Sequence, residues 1–220
     1  ADLIKFCATG GVMSKNTNLR TKQYTQEEME AIVDEAHSRG MKVAAHAHGL
    51  EGIRAAIMAG VDSVEHSSLI DEQTIELAKS KGVYLAMDIY VSDFILGEGV
   101  EQGIPEYSLN KERQVGRLQR ENFKKAVDAN ANLVFGTDAG IFPHGDNARQ
   151  FKYMVEWGMT SLQAIQASTI STAKLFDMDD TGQIKESYQA DIIGVEGNPL
   201  EDITILENVK FVMSDGVVIK

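Results

Sequence analysis

The sequence has one cysteine, Cys7, in 220 residues. That excludes an intrachain disulfide framework and leaves the compartment open. No stretch approaches the roughly 18 consecutive apolar residues of a membrane span. Basic residues are scarce: 21 Lys and Arg stand against 33 Asp and Glu, a formal net charge of -12. A nucleic-acid or anionic-membrane partner is therefore disfavoured on electrostatic grounds, whereas a cationic substrate is not. An initiating Met and a visible signal peptide are also absent. Ala1-Asp2-Leu3-Ile4-Lys5-Phe6 reads as a strand already under way, so any leader is expected upstream. The compartment is then cytoplasmic or, given such a leader, periplasmic or secreted.

What is present is a strand-helix rhythm running to about residue 178, with a spacing of roughly 20 residues. Thr25 to Arg39 is the clearest helix: Thr25 and Glu28 form a capping box, and Met29, Ile32, Val33 and Ala36 make one apolar face before Gly40. Met41 to His46, Val61 to His66 and Val83 to Met87 read as strands, separated by helices over Glu51 to Ala59 and Asp71 to Lys81. Such alternation indicates an α/β fold with a parallel sheet. Asp88 to Lys111, rich in glycine and acids, reads as an active-site loop. A helix is expected over Lys111 to Ala129, a strand over Asn132 to Thr137, and helices near Asn147 to Trp157, Ser161 to Ser168 and Thr172 to Phe176. From Thr181 onward, short runs at Asp191 to Val195, Val209 to Met213 and Val217 to Ile219 suggest a small β appendage.

Several apolar runs end in chemistry. Leu133-Val134-Phe135 leads through Gly136-Thr137 to Asp138, Val43-Ala44-Ala45 ends at His46, Val61 to Glu65 ends at His66, and Lys5 interrupts the first run. In a parallel barrel the strand C-termini share one face, where catalysis is assembled from several strand ends. Histidine nitrogens and carboxylate oxygens suit zinc. Zinc lowers the pKa of a bound water to about 7 and so supplies hydroxide to attack an amide or ester carbonyl. A neighbouring aspartate can take the proton and pass it to the leaving amine. His48, two residues past His46, is either a ligand in its place or a substrate contact. His144 either lines the pocket or belongs to a helix-start turn with Asp146 or Asn147 as N-cap. His37 falls on the polar side of its helix, and Ala8-Thr9-Gly10-Gly11 lacks the glycine spacing and Lys-Ser/Thr of a phosphate loop.

Taken together, these pieces resemble the amidohydrolase superfamily, within it the prolidase-like, imidazolonepropionase-related metal-dependent dipeptidases. The matching segments are Ile4-Lys5-Phe6 with Thr9-Gly10-Gly11, Ala45-His46-Ala47-His48-Gly49, Val64-Glu65-His66-Ser67, Met87-Asp88-Ile89-Tyr90, and Gly136-Thr137-Asp138-Ala139-Gly140 with Pro143-His144-Gly145-Asp146-Asn147. The likeness continues through Gln163 to Ala167 and Ala190 to Ile193. It implies a (β/α)8 TIM-like barrel with a binuclear zinc centre. Lys5 matches the lysine whose carbamate bridges the metals, an anionic oxygen donor suited to such dications. His46 and His66 match ligands after the fifth and sixth strands, and Asp138 the eighth-strand ligand and proton shuttle. Tyr90 looks like a residue that binds the substrate carboxylate or polarises the scissile carbonyl. The implied substrates are dipeptides or N-acyl amino acids with a C-terminal basic residue. Asp88, Asp93 and Asp146 are candidates to meet its charge.

The departure is that nothing here matches the family's first-strand His-x-His. The chain resembles the C-terminal half: residues 1-178 as barrel strands four to eight, and residues 179-220 as the C-terminal part of a small β-sandwich domain. Lys5, His46 and His66 would still hold one metal, while a second loses two ligands. A half-barrel exposes strand edges, so self-association or association with a missing N-terminal half is expected. Two other readings stand beside the dipeptidase. One is a cyclic-amide hydrolase of imidazolonepropionase type, against which Gly49 stands where that family has an acid. The other is a catalytically incomplete half-barrel that only binds or oligomerises.

Overall fold

In the computed structural model, which describes residues 1–220, β1 (Leu3–Cys7), β2 (Lys42–Ala47), β3 (Ser63–His66), β4 (Tyr84–Ala86) and β5 (Leu133–Val134) form one sheet. All neighbouring pairs are parallel, and the spatial order is the chain order. Helices α1 (Gln26–His37), α2 (Leu50–Ala59) and α3 (Glu72–Ser80) connect the first four of them in turn. A sheet that grows by one strand per βα unit without reversing is the winding of a (β/α) barrel rather than of an open doubly wound sheet. Its outer strands, β1 and β5, carry no further partner.

Local chemistry explains the register of this layer. Along β2, Val43, Ala45 and Ala47 are buried against the helices, leaving Lys42, Ala44 and His46 on the concave face. Met29, Val33 and Ala36 of α1 pack into the same core, and the Thr25–Glu28 capping box forms as the sequence indicates. Gly60 ends α2 in the left-handed conformation at φ 95°, which glycine takes without a Cβ clash.

The segment from Asp88 to Lys111 is not a loop. It folds into α4 (Val91–Leu96), α5 (Glu98–Glu101) and the first turn and more of α6 (Glu106–Asp128). Two of its glycines mark boundaries between helices: Gly97 ends α4 and caps α5, and Gly103 lies between α5 and α6. The strand expected over Asn132 to Thr137 shortens to Leu133–Val134, because at Phe135 the backbone leaves the ladder and its N–H donates to Ala167 O. Helices α7 (Arg149–Glu156), α8 (Ser161–Ser168) and α9 (Ile170–Leu175) follow. A separate antiparallel sheet joins β6 (Ile192–Gly194), β7 (Phe211–Ser214) and β8 (Val217–Val218). The turn Ile203–Glu207 between β6 and β7 buries Ile203 and Leu206 and packs on α7. No helix is long and apolar enough to cross a membrane.

Candidate metal centre

At the C-terminal end of the main sheet, Lys5, His46, His48, His66, Asp88 and Asp138 line one cavity. Strand parity explains His46, which follows Lys42 and Ala44 on the concave face. It also explains Lys5 and Cys7, on the face opposite the buried Phe6. Parity does not explain His66. Glu65 takes the concave position, where Ser63 Oγ donates to its Oε1 at 2.6 Å. His66 reaches the cavity because its backbone turns left-handed, with φ 67°, followed by Ser67 at 49°. Asp138 is likewise left-handed at φ 52°. Non-glycine residues held this way cluster at functional sites.

The three histidine rings pack together. His46 and His66 centroids lie 4.6 Å apart, His48 and His66 are stacked at 4.7 Å, and His46 meets His48 edge-on at 4.8 Å. Ring nitrogens of His46, His48 and His66 all fall within 4.8 Å of one another, as do the donor atoms of His66, Asp88 and Asp138. His46 Nε2 is buried and has no hydrogen-bond partner within the chain, an arrangement that a metal ion or a water in the cavity would satisfy. His48 Nδ1 is 2.8 Å from Ser68 Oγ, and its backbone N–H donates to Thr9 Oγ1 at 3.0 Å. The donor set of imidazoles and carboxylates, with an orphaned nitrogen among them, fits a divalent ion such as zinc.

Asp88 holds the arrangement from behind. Its Oδ1 lies 2.9 Å from His66 Nδ1 and accepts from Gln119 Nε2 at 2.9 Å, while Gln119 also donates to His66 O at 3.1 Å. A carboxylate on one ring nitrogen orients the imidazole and frees the other nitrogen for a metal. Burial works against charge on His66, but the Asp88 charge and hydrogen bond outweigh it and push the pKa up to about 9. His46 is pushed down to about 4, chiefly by burial and then by His66. His48 falls well below the usual histidine range for the same reasons. Neutral imidazole is the ligand form, which His46 and His48 already hold at neutral pH and which His66 reaches by releasing a proton when a dication binds. Asp138 is exposed at the rim as a residue, yet its carboxyl turns toward His66 and Asp88, and desolvation there raises its pKa.

The other residues expected at the site are placed differently. Tyr90 does not line the cavity: its ring is buried against Phe142 and Tyr153, and Arg149 Nη1 donates to its hydroxyl at 2.9 Å. Asp93 pairs with Arg120 at 3.0 Å, and Asp146 with Arg149 at 3.5 Å. His144 is exposed on its loop, beyond the cavity wall. Asp88 lines the wall, but its Oδ1 is committed to His66 and Gln119. Glu112 and Gln119, both buried on α6 and both lining the cavity, were not among the expected residues. Their signal lay in spacing: Ser108, Glu112, Val115, Gln119 and Asn122 fall on one helical stripe and all are buried, polar residues included.

The model of the amidohydrolase family matches residues 1–219 of this chain. Ochratoxinase of Aspergillus niger is 38% identical over 216 residues, covering 96% of this chain and 44% of its own length. A crystal structure of a Xaa-Pro dipeptidase with methionine bound in the active site superposes with a TM-score of 0.96 at 42% identity, covering 100% of this chain and 55% of that one. A prolidase complexed with N-methylphosphonate-L-proline gives 0.91 at 30% identity, covering 97% and 53%. The chain thus spans about half the length of the relatives it matches.

Proposed function

The chain belongs to the amidohydrolase family, and from that premise we propose that it supplies the metal-binding face of a hydrolase. The bond cleaved is the amide of a dipeptide or N-acyl amino acid, with a basic residue on the leaving side. The observation that carries this reading is that His46, His66 and Asp138, from separate strand ends, line one cavity in which His66 belongs both to the imidazole cluster and to a group with Asp88 and Asp138, with His46 Nε2 buried and unpartnered. Lys5 as a carbamate, His46, His66 and Asp138 are the residues that would hold zinc, with His48 the alternative to His46. A zinc ion there supplies Lewis acidity toward the scissile carbonyl and acidifies the attacking water. A second ion needs donors beyond this set.

The chain's own groups divide the remaining work. Asp88 fixes the His66 ring through Nδ1, and Gln119 fixes Asp88. The Asp138 carboxyl, its pKa raised by burial, takes a proton from the attacking water and delivers it to the leaving amine nitrogen. The apolar wall of Val12, Val91, Ile95 and Ile141 excludes bulk water from one side of the cavity. The same reading separates a barrel portion up to residue 178 from the β appendage.

The cyclic-amide alternative meets a steric objection. A Cβ on Gly49 would lie 2.6 Å from Arg20 Cα and 2.8 Å from Leu19 O, both backbone atoms, so an acid does not fit there. The half-length match supports a different alternative, a chain that binds metal but needs a partner to turn over. The test is to load the 220-residue chain with zinc and assay Xaa-Arg, Xaa-Lys and N-acyl amino acid hydrolysis, alone and with a polypeptide carrying the other half of a relative. Stoichiometric zinc with turnover in either assay is expected. Zinc binding with no turnover in both defeats the hydrolase reading, and no zinc binding defeats the metal centre.

A further inference from the structure

One acid in the cavity wall is not used by the mechanism above. Glu112 is buried, at 3% exposure, where an acidic side chain seldom sits without a partner of opposite charge. Ser92 Oγ donates to Oε1. That contact is built for: a Cβ on Gly116 would meet Ser92 Oγ at 2.4 Å and Glu112 Oε1 at 2.5 Å, so only glycine on the next turn lets the pair close. Oε2 makes no hydrogen bond within the chain, and Glu112 forms no ion pair. Its carboxyl opens on the cavity beside the aliphatic side chains of Val91 and Ile95. The other acids nearby are spoken for: Asp88 by His66 and Gln119, Asp93 by Arg120.

We propose that Glu112 determines specificity in this pocket, its free oxygen pairing with the ammonium or guanidinium of the amino acid bound there. The chemistry follows from the juxtaposition. A buried carboxyl with a vacant oxygen ends a short aliphatic wall, and lysine and arginine present a methylene stem with a cation at its tip. A buried acid with no ion pair, repelled by Asp88 and favoured only by the longer-range charges of His66 and Arg120, is relieved when a cation arrives. Burial also lifts the Glu112 pKa, which a bound cation reverses. The assignment deepens the hydrolase reading by naming the side chain read, and it rests on that reading for the identity of the pocket.

The test is calorimetric binding of Nα-acetyl-arginine, Nα-acetyl-lysine and the neutral isostere Nα-acetyl-norleucine to the zinc-loaded 220-residue chain. The basic ligands are expected to bind at least about 30-fold more tightly than norleucine. Glu112→Gln brings the ratio close to one, whereas Glu112→Asp, which keeps the charge on a shorter stem, retains part of it. Circular dichroism confirms that each variant is folded. Equal affinity for the three ligands in the parent chain, no measurable binding of any, or a preference that survives Glu112→Gln overturns the assignment. Hydrolysis is scored separately. Preference with no turnover either alone or with the complementary half removes the hydrolase reading and leaves Glu112 standing, and turnover without preference does the reverse.

Discussion

Single side chains decide the chemistry, and each makes a separable contribution. His46→Ala and His66→Ala are expected to abolish stoichiometric zinc binding, measured by metal analysis after dialysis. Asp138→Asn is expected to leave the fold intact and lower any turnover by about 100-fold or more, because it removes the proton carrier. Glu112 gives a pH signature. Its pKa in the folded chain lies above its ordinary value of 4.5, chiefly through burial. The group therefore adds nothing unfavourable below that value and weakens the fold progressively as pH rises through the folded pKa. Glu112→Gln should thus unfold at no lower temperature than the parent at pH 7, with a flatter dependence of melting temperature on pH from about 4.5 upward. A marked loss of stability at pH 7 would show that the carboxylate is satisfied after all. Legibility at this scale followed parity. His46 was readable as the end of an apolar run, and strand alternation independently turns it inward. His66 was found only as the end of an apolar run; its left-handed backbone, which actually delivers the ring, leaves no mark in an alternating pattern. Asp88 was read as a partner for substrate because nothing in the linear order announces that it faces a histidine on the neighbouring strand.

Elements hold these side chains in place, above all the segment between β1 and α1. Gly11 to Ser14 form part of the cavity wall. Lys111 of α6 straps them down, donating to Gly11 O at 2.9 Å, Ser14 O at 2.6 Å and Thr17 Oγ1 at 3.1 Å. Lys111→Met is expected to speed amide exchange across residues 11 to 17 by about tenfold or more, read by mass spectrometry, since three bonds to a charged group are lost. Unchanged exchange would mean the segment is held by its own packing. Gly11 also touches the centre: a Cβ there would sit 3.1 Å from His46 Cε1 and 3.2 Å from Nε2. Gly11→Ala should displace that ring and weaken zinc binding by about tenfold, comparable with other losses of ligand orientation. The βα elements were readable because their periodicity and caps agree. The segment after Asp88 was misread because glycine and acid content suggest a loop, whereas here the glycines divide short helices whose apolar residues Val91, Phe94 and Ile95 are all buried.

At the scale of the molecule, the parallel sheet ends at β1 on one side and β5 on the other, and neither edge is paired. Exposed parallel edges are templates for further pairing. We expect the 220-residue chain to exceed its monomer mass in light scattering at micromolar concentration, and to dissociate on dilution. A strictly monomeric species at all concentrations would exclude edge-mediated association. The order of strands was legible because each helix returns the chain beside the strand it left. How the sheet edges are covered was not legible, because it depends on surfaces beyond the reach of a periodic pattern.

His46, His66 and Asp88 stand on or just beyond β2, β3 and β4, the interior of the five-stranded ladder, and the two edge strands add Lys5 on β1 and Asp138 beyond β5. The imidazole cluster is therefore anchored by adjacent hydrogen-bonded neighbours and does not wait on closure of the ring of strands.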